Sequence, residues 1–161
     1  TYMLDLGANS TCTAEQLYQF ALMGNVVARE IKGIPSPKIA LLNIGEEEIK
    51  GHEMIKEASI LLEQSSINYV GYVEGNDIVE NKADVIVTDG FTGNIAIKAM
   101  EGTIELMTSV LKDSIRNGSS DDYAFDGSRF ALDIFKKPII EVHISNIYRR
   151  SHSQLTKSCK S

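Results

Sequence analysis

The chain has 161 residues, of which 43% are hydrophobic and 24% are charged, and its formal net charge is -6. These proportions match ordinary globular proteins and exclude wholesale disorder. The negative charge argues against a general nucleic-acid binder, because phosphate backbones are held by clustered Lys and Arg. Neither a membrane-spanning stretch of roughly 20 apolar residues nor a signal peptide is apparent. Cys12 and Cys159 lack metal-ligand spacing, which predicts two reduced thiols in a cytoplasmic protein without a metal.

The first elements in chain order read as strand, helix and strand. Tyr2 to Leu6 is an apolar run that predicts a strand at the very start of the sequence. Domains rarely begin so abruptly, so we expect an N-terminal part to be missing. Thr13 and Gln16 fit a capping box, and apolar residues recur behind them at helical spacing until Gly33. Lys38 to Ile44 is almost continuously apolar, as expected for a strand buried on both faces.

The alternation continues through the middle of the chain. The acidic patch Glu46–Glu48 suits the N-terminus of a second helix. Strands are predicted over Ile67–Val73 and Asp84–Thr88, and a long helix over Thr92–Ile115. The apolar face of the second helix comprises Met54, Ile55, Ala58, Leu61 and Leu62. That of the long helix comprises Ala96, Ala99, Thr103, Leu106 and Val110.

Strands and helices in regular alternation predict an α/β fold, with a layered, Rossmann-like, mainly parallel sheet and flanking helices. The pattern breaks into a loop composition from Arg116 to Gly127. A short helix around Arg129–Phe135 and a strand over Ile139–Ile144 follow, and a polar, basic tail begins at Arg149. We therefore divide the chain into an α/β domain of residues 1–117 and a second segment of residues 118–161.

Three loops follow predicted strands, at the edge where parallel α/β sheets bind ligands: Asp5–Asn9, Asn43–Gly51 and Asp89–Asn94. In the third loop two glycines let the backbone approach a ligand, and Thr92 and Asn94 add hydrogen bonds. The free N–H groups of the helix behind them suit an anion. The alternative is that a strand-to-helix turn needs Gly, Asp and Asn for its geometry alone.

Two basic side chains belong to the second loop. Lys50 could neutralise a phosphate or polarise a carbonyl oxygen; alternatively it is a solvated lysine that pairs with Glu46 or Glu47. His52 could act as an acid or a base near neutral pH, or could be a surface residue. Asp5 and Asn9 can close a turn and do nothing more. Spacing alone therefore indicates a ligand-binding α/β domain without specifying a reaction.

The loops also carry a family resemblance. Over roughly residues 1–115 the chain resembles PlsX-type phosphate acyltransferases, with several motifs in the right order and at the right spacing. These motifs are LDLGAN at Leu4–Asn9, QFALMGNVVAR at Gln19–Arg29, LLNIGEEEIKG at Leu41–Gly51, INYVGYVEGNDI at Ile67–Ile78 and DVIVTDGFTGNIAIKAMEG at Asp84–Gly102.

The resemblance implies a transfer of acyl groups from acyl carrier protein to inorganic phosphate, giving acyl phosphate for phospholipid synthesis. It implies no cofactor, a homodimer, and a fold like that of isocitrate and isopropylmalate dehydrogenases. The implied catalytic residues are Lys50, Asp89 and Asn94. The implied substrate- or phosphate-binding residues are Asn9, Asn43, Gly90, Thr92 and Gly93.

Two parts of the family pattern are absent from the sequence. The family is roughly twice as long, and neither its opening glycine- and aspartate-rich segment nor its apolar, membrane-touching helical region is present. We therefore expect a partial domain with weak or no membrane association, because spread basic charges attract anionic membranes only weakly. The alternative function is that of a catalytically inactive α/β fragment that serves as a binding or dimerising module.

A second resemblance lies in the C-terminal segment. PIIEVHISNIYRR, at Pro138–Arg150, is similar to the substrate-binding strand and loop of type II 3-dehydroquinate dehydratase. This resemblance implies that His143 and Asn146 contact substrate and that Arg150 helps to anchor it. The dehydratase loop that carries its catalytic arginine and tyrosine is absent, which disfavours this activity and leaves His143 as an ordinary strand residue.

Overall fold

The computed structural model describes residues 1–45 and 50–117, with side chains up to residue 112 in the last helix. Within these residues strands and helices alternate as predicted. The elements are β1 (Tyr2–Leu4), α1 (Ala14–Lys32), β2 (Ile39–Leu42), α2 (Glu53–Glu63), β3 (Tyr69–Val73), a 3-10 turn (Gly75–Val79), β4 (Val85–Val87) and α3 (Gly90–Asn117). The loop, short helix and strand predicted from residue 118 onward lie outside the described residues.

The four strands form one parallel sheet in the order β1-β4-β2-β3, which confirms the predicted layered α/β fold. The last of the described strands, β4, is therefore inserted between β1 and β2: Val85 is aligned with Tyr2 on one side and with Ile39 on the other. Because all four strands are parallel, the carboxyl ends of β1, β4 and β2 are neighbours at one edge. The three loops of interest follow these three strands.

Helix α1 lies directly against the centre of this sheet. The predicted capping box is confirmed, since the Thr13 side chain accepts from the Gln16 N–H and the Gln16 side chain accepts from the Thr13 N–H. The helix ends at Gly33, whose φ of 66° is in the left-handed region that favours glycine. At Gly24 the helix approaches so closely that an added Cβ would collide with the side chain of Val85.

One prediction about the helices is wrong. Helix α2 begins at Glu53, so its first turn does not contain the acidic patch Glu46–Glu48, which lies outside the described residues. The predicted apolar face of α3 is largely exposed: Leu106 is 65% exposed and Val110 is 55% exposed. Helical spacing shows which residues share a face but not whether another element covers that face.

The chain divides into two compact units, and the boundary between them falls within α3. Among the described residues the first unit is Thr1–Asn94 and the second begins at Ile95. In the part of the chain that the model describes, no helix is long and apolar enough to cross a membrane.

A buried carboxylate fixes the segment after β3. Asp77 is 1% exposed; its Oδ1 lies 2.7 Å from Lys82 Nζ, and its Oδ2 accepts from the Glu74 N–H at 2.8 Å. The hydrogen bond from Lys82, followed by that from Glu74, lowers the pKa of Asp77 below its usual value. The ionised form of the Asp77 carboxyl is therefore more favourable in the folded chain than in the unfolded chain.

Gly24 offers a test of the packing of α1 on the sheet. We expect Gly24→Ala to lower the free energy of unfolding by about 1–2 kcal/mol, because overpacking outweighs the gain in helix propensity. Gly102→Ala in α3 is the matched control, since an added Cβ there meets nothing within 4 Å, and it should stabilise by up to about 1 kcal/mol. Urea unfolding followed by circular dichroism measures both. Stabilisation by both substitutions would contradict the close approach at Gly24.

Asp77 offers a test by pH. Because its folded-state pKa is lowered, its contribution to stability is present above the unfolded-state pKa and is lost as the pH falls through the folded-state pKa. Lys82→Met removes the largest cause of the lowered pKa. The variant should be less stable than the parent chain at neutral pH, and the difference should shrink below about pH 4. Urea midpoints between pH 3 and pH 7 measure it; a difference that is the same at every pH would exclude this role of Lys82.

Candidate active site

The loop after β1 is organised by the carboxylate of Asp5, which is 2% exposed. Its Oδ1 accepts from the N–H groups of Gly7 and Ala8 at 3.1 and 3.0 Å. Its Oδ2 accepts from the backbone N–H of Asn9 at 2.7 Å and from the Asn9 side-chain amide at 3.1 Å. Asp5 and Asn9 therefore close a turn, as predicted, and the turn faces the start of α3.

Two glycines let this loop and the start of α3 touch through their backbones. The Gly90 N–H donates to the Asn9 carbonyl at 2.8 Å, and an added Cβ on Gly90 would lie 2.5 Å from that oxygen. A Cβ on Gly93 would collide with the carbonyl of Asp5. Both glycines are buried, so their visible role is to allow this approach.

The start of α3 is capped by the residue that precedes it. Asp89 Oδ1 accepts from the Thr92 N–H at 2.8 Å, and Asp89 Oδ2 accepts from the Thr92 hydroxyl at 2.9 Å. This is the arrangement of an N-cap. The Thr92 N–H that could have faced an anion is thus satisfied by Asp89, whereas Asn94 is exposed and its amide has no hydrogen-bond partner among the described residues.

The loop after β2 is closed by Asn43, which is 7% exposed. Its side-chain N–H groups donate to the carbonyls of Gly45 and Lys50, each at 3.1 Å. The closed loop also requires a glycine at position 51. Gly51 has a φ of 92°, and a side chain there would collide with Asn43 Oδ1. The Lys50 side chain is exposed, so Asn43 holds in place the backbone from which this cation extends.

A cleft of about 420 Å³ lies where the three helices begin, next to the ends of these loops. Clefts of this kind, at the carboxyl ends of parallel strands, are the usual ligand sites of α/β sheets. Its walls come from the residues before α1, from the start of α2 and from the first turn of α3. They are Ser10, Thr11, Cys12, His52, Met54, Asp89, Phe91 and Thr92.

Cys12 is the one thiol among the residues that line this cleft. It is buried, and burial is the main cause that raises the pKa of its thiol, with the charges of Asp5 and Asp89 acting in the same direction. A raised pKa keeps the sulfur protonated at neutral pH, whereas a nucleophile or metal ligand would need the thiolate. Among the described residues no cluster of His, Cys, Asp and Glu could hold a metal ion.

The predicted site residues thus differ in what they can offer a ligand. Lys50, Thr92 and Asn94 are exposed, while Asn9 and Asp89 are half-buried and bonded within their own loops. Asn43, Gly90 and Gly93 are buried and hold the loops in position. The dehydratase-like residues His143, Asn146 and Arg150 lie outside the described residues.

Sequence reasoning missed the apolar side of the cleft. Met54 is assigned above only to the apolar face of the second helix, and it is half-buried and lines the cleft. Phe91 is not singled out, although it lines the cleft and is 63% exposed. No local signal could have found these two residues, because periodicity does not reveal what covers a face.

Comparison with known proteins places this fold and its loops in a family. The model of the family described as "Fatty acid synthesis protein" matches residues 1–122, so the chain belongs to that family. The match includes all three strand-end loops and the whole of α3.

Individual relatives are named more specifically. The chain is similar to the phosphate acyltransferases of Francisella tularensis subsp. novicida strain U112 and of Francisella tularensis subsp. tularensis strain SCHU S4. Each is 54% identical over 120 residues, which cover 74% of this chain and 34% of the relative. The chain thus spans about a third of the length of the curated relatives it matches.

Asp5 and Asp89 provide a matched test of this arrangement. Asp5→Asn places an N–H₂ group among backbone donors, so we expect it to lower the free energy of unfolding by about 1–3 kcal/mol. Asp89→Asn should cost only about 0.5 kcal/mol or less, because Asn is as good an N-cap as Asp and the site is more exposed. Urea unfolding of both variants is the measurement. Equal effects would show that the Asp5 carboxylate does not organise the loop.

Proposed function

We propose that this chain carries the strand-end site of a phosphate acyltransferase, which makes acyl phosphate from inorganic phosphate and an acyl group carried on acyl carrier protein. The observation that carries the proposal is the insertion of β4 between β1 and β2. It brings to one edge three loops that belong to the region similar to the Francisella phosphate acyltransferases.

The reaction defines what such a site must supply. An oxygen of phosphate attacks the thioester carbon, a C–O bond forms, the C–S bond breaks, and the sulfur leaves as a thiolate that takes up a proton. Negative charge is present on phosphate throughout and develops on the thioester oxygen. The site therefore needs a cation near phosphate and hydrogen-bond donors for the thioester oxygen. The atoms balance without a nucleotide, a metal or a redox partner.

Two exposed side chains suit these tasks best. Lys50 is exposed at the end of a loop whose backbone Asn43 fixes, so its side chain extends from a defined backbone position. Asn94 is exposed, and its side chain is about 3.8 Å from the position of an added Cβ on Gly7, which places its amide over the loop after β1. We assign phosphate to Lys50 and the thioester oxygen to the amide of Asn94.

The remaining predicted residues support these two. The Asp89 carboxylate orients Thr92 by accepting hydrogen bonds from its hydroxyl and its N–H. The hydroxyl oxygen can still accept a hydrogen bond from a bound ligand. Gly90, Gly93 and Asn9 form the close contact between the loop after β1 and α3. Asn43 acts through the backbone of Lys50 and is a positioning residue.

Acyl carrier protein and phosphate as substrates, a homodimer and a cytoplasmic location are part of the same proposal. So is the weak or absent association with membranes. Membership of the family and the relatives' name, phosphate acyltransferase, support the acyl and phosphate part of the proposal.

Replacement of Lys50 tests the proposal. We expect Lys50→Ala to reduce acyl phosphate formation from an acyl carrier protein thioester and phosphate by about 100-fold or more, because loss of one preorganised electrostatic donor has effects of that order. The control, Lys56→Ala, removes the same charge from a lysine that pairs with Glu53 at 3.7 Å, and should leave the rate unchanged.

Two outcomes would contradict the proposal. A Lys50→Ala variant with an unchanged rate would remove Lys50 from the site. A folded parent chain without any acyl phosphate formation would favour the alternative of a binding or dimerising module.

A further inference from the structure

The cleft beside the strand-end loops has an apolar side that the proposed reaction centre does not use. Phe91 lines it and is 63% exposed, although its neighbour Gly90 is buried. Met54, at the start of α2, and Cys12, which is 8% exposed before α1, also line it. A phenyl ring, a thioether and a thiol thus share one cleft of about 420 Å³.

The negative charge of Asp89 disfavours a second anion in the cleft. The Asp89 carboxylate lines it and is negatively charged, and both of its oxygens already accept hydrogen bonds from Thr92. The Cys12 thiol stays protonated, because burial raises its pKa. An apolar group can cover Phe91 and Met54, whereas a phosphate in the cleft would meet the charge of Asp89.

We infer that this cleft takes the carbons of the acyl chain nearest the thioester, with Phe91 as the residue that determines preference for chain length. The inference rests on the proposed function, which supplies the acyl thioester. The cleft contains Asp89 and Thr92, which also belong to the proposed reaction site, so a chain that leaves the reacting carbon can enter it. Its volume is near the lower end of the roughly 300–1,000 Å³ typical of ligand pockets, which suits part of a chain.

The size of the expected effect follows from the burial of methylene groups. Burial of one CH₂ group stabilises binding by about 0.8 kcal/mol, which is a factor of about four in affinity. A decanoyl thioester should therefore bind far more tightly than an acetyl thioester. Removal of the Phe91 ring should abolish most of this difference while the acetyl thioester binds as before.

Cys12 provides a readout that does not depend on catalysis. In a Cys159→Ser chain Cys12 is the remaining thiol, and its rate of modification by N-ethylmaleimide can be followed by mass spectrometry. We expect S-decanoyl pantetheine to slow this modification at least tenfold, and S-acetyl pantetheine at the same concentration to leave it almost unchanged. The same experiment in Lys50→Ala should show the same protection, because Lys50 is assigned to phosphate.

Variants of two exposed apolar residues make the test specific. Phe91→Ala should remove most of the protection by the decanoyl thioester. Ile60→Ala, which truncates a residue that is 53% exposed on α2 and does not line the cleft, should leave it intact. Equal protection by both thioesters, no protection by either, or full protection in Phe91→Ala would overturn the inference. Protection without acyl phosphate formation would contradict the proposed function and leave the acyl-chain cleft standing.

Discussion

The site depends on one close contact, in which the loop after β1 and the first turn of α3 touch through their backbones. Gly90 donates to the carbonyl of Asn9, and Gly93 leaves room for the carbonyl of Asp5. This contact is possible because β4 lies beside β1 in the sheet. A larger residue at either glycine would separate two of the three loops, and the cleft between the helix starts would lose its shape.

The two carboxylates of the site stabilise its structure, whereas its lysine is assigned to the proposed reaction. The carboxylates of Asp5 and Asp89 are both used to hold backbone N–H groups, one within a loop and one at a helix start. Lys50 and Asn94 are exposed, and they carry a cation and a neutral donor. Such a pair suits a reaction in which an anion attacks and negative charge develops on a carbonyl oxygen. In the proposal, the apolar side of the cleft would accept the part of the substrate that carries no charge.

The parallel α/β fold could be predicted from the sequence because its local signals agree. Thr13 and Gln16 mark the start of α1, Gly33 marks its end, and the apolar runs mark the strands. The order of the strands could not be predicted, since it depends on the pairing of residues as distant as Tyr2 and Val85. The exposure of Leu106 and of Phe91 was also inaccessible, because periodicity does not reveal what covers a face. Resemblance to a family indicated which loops to consider as a site. The structure then showed that, within one of these loops, Lys50 is exposed and Asn43 is buried.

The central claim is that loops from different strands act on one substrate, and a double-mutant cycle between Lys50 and Asn94 tests it most directly. The rate of acyl phosphate formation is measured for the parent chain, Lys50→Ala, Asn94→Ala and the double variant. Groups that act on the same transition state are not additive, so the double variant should lose clearly less than the product of the two single losses. A loss equal to that product would mean that the two residues act independently and would contradict a single site at this edge of the sheet.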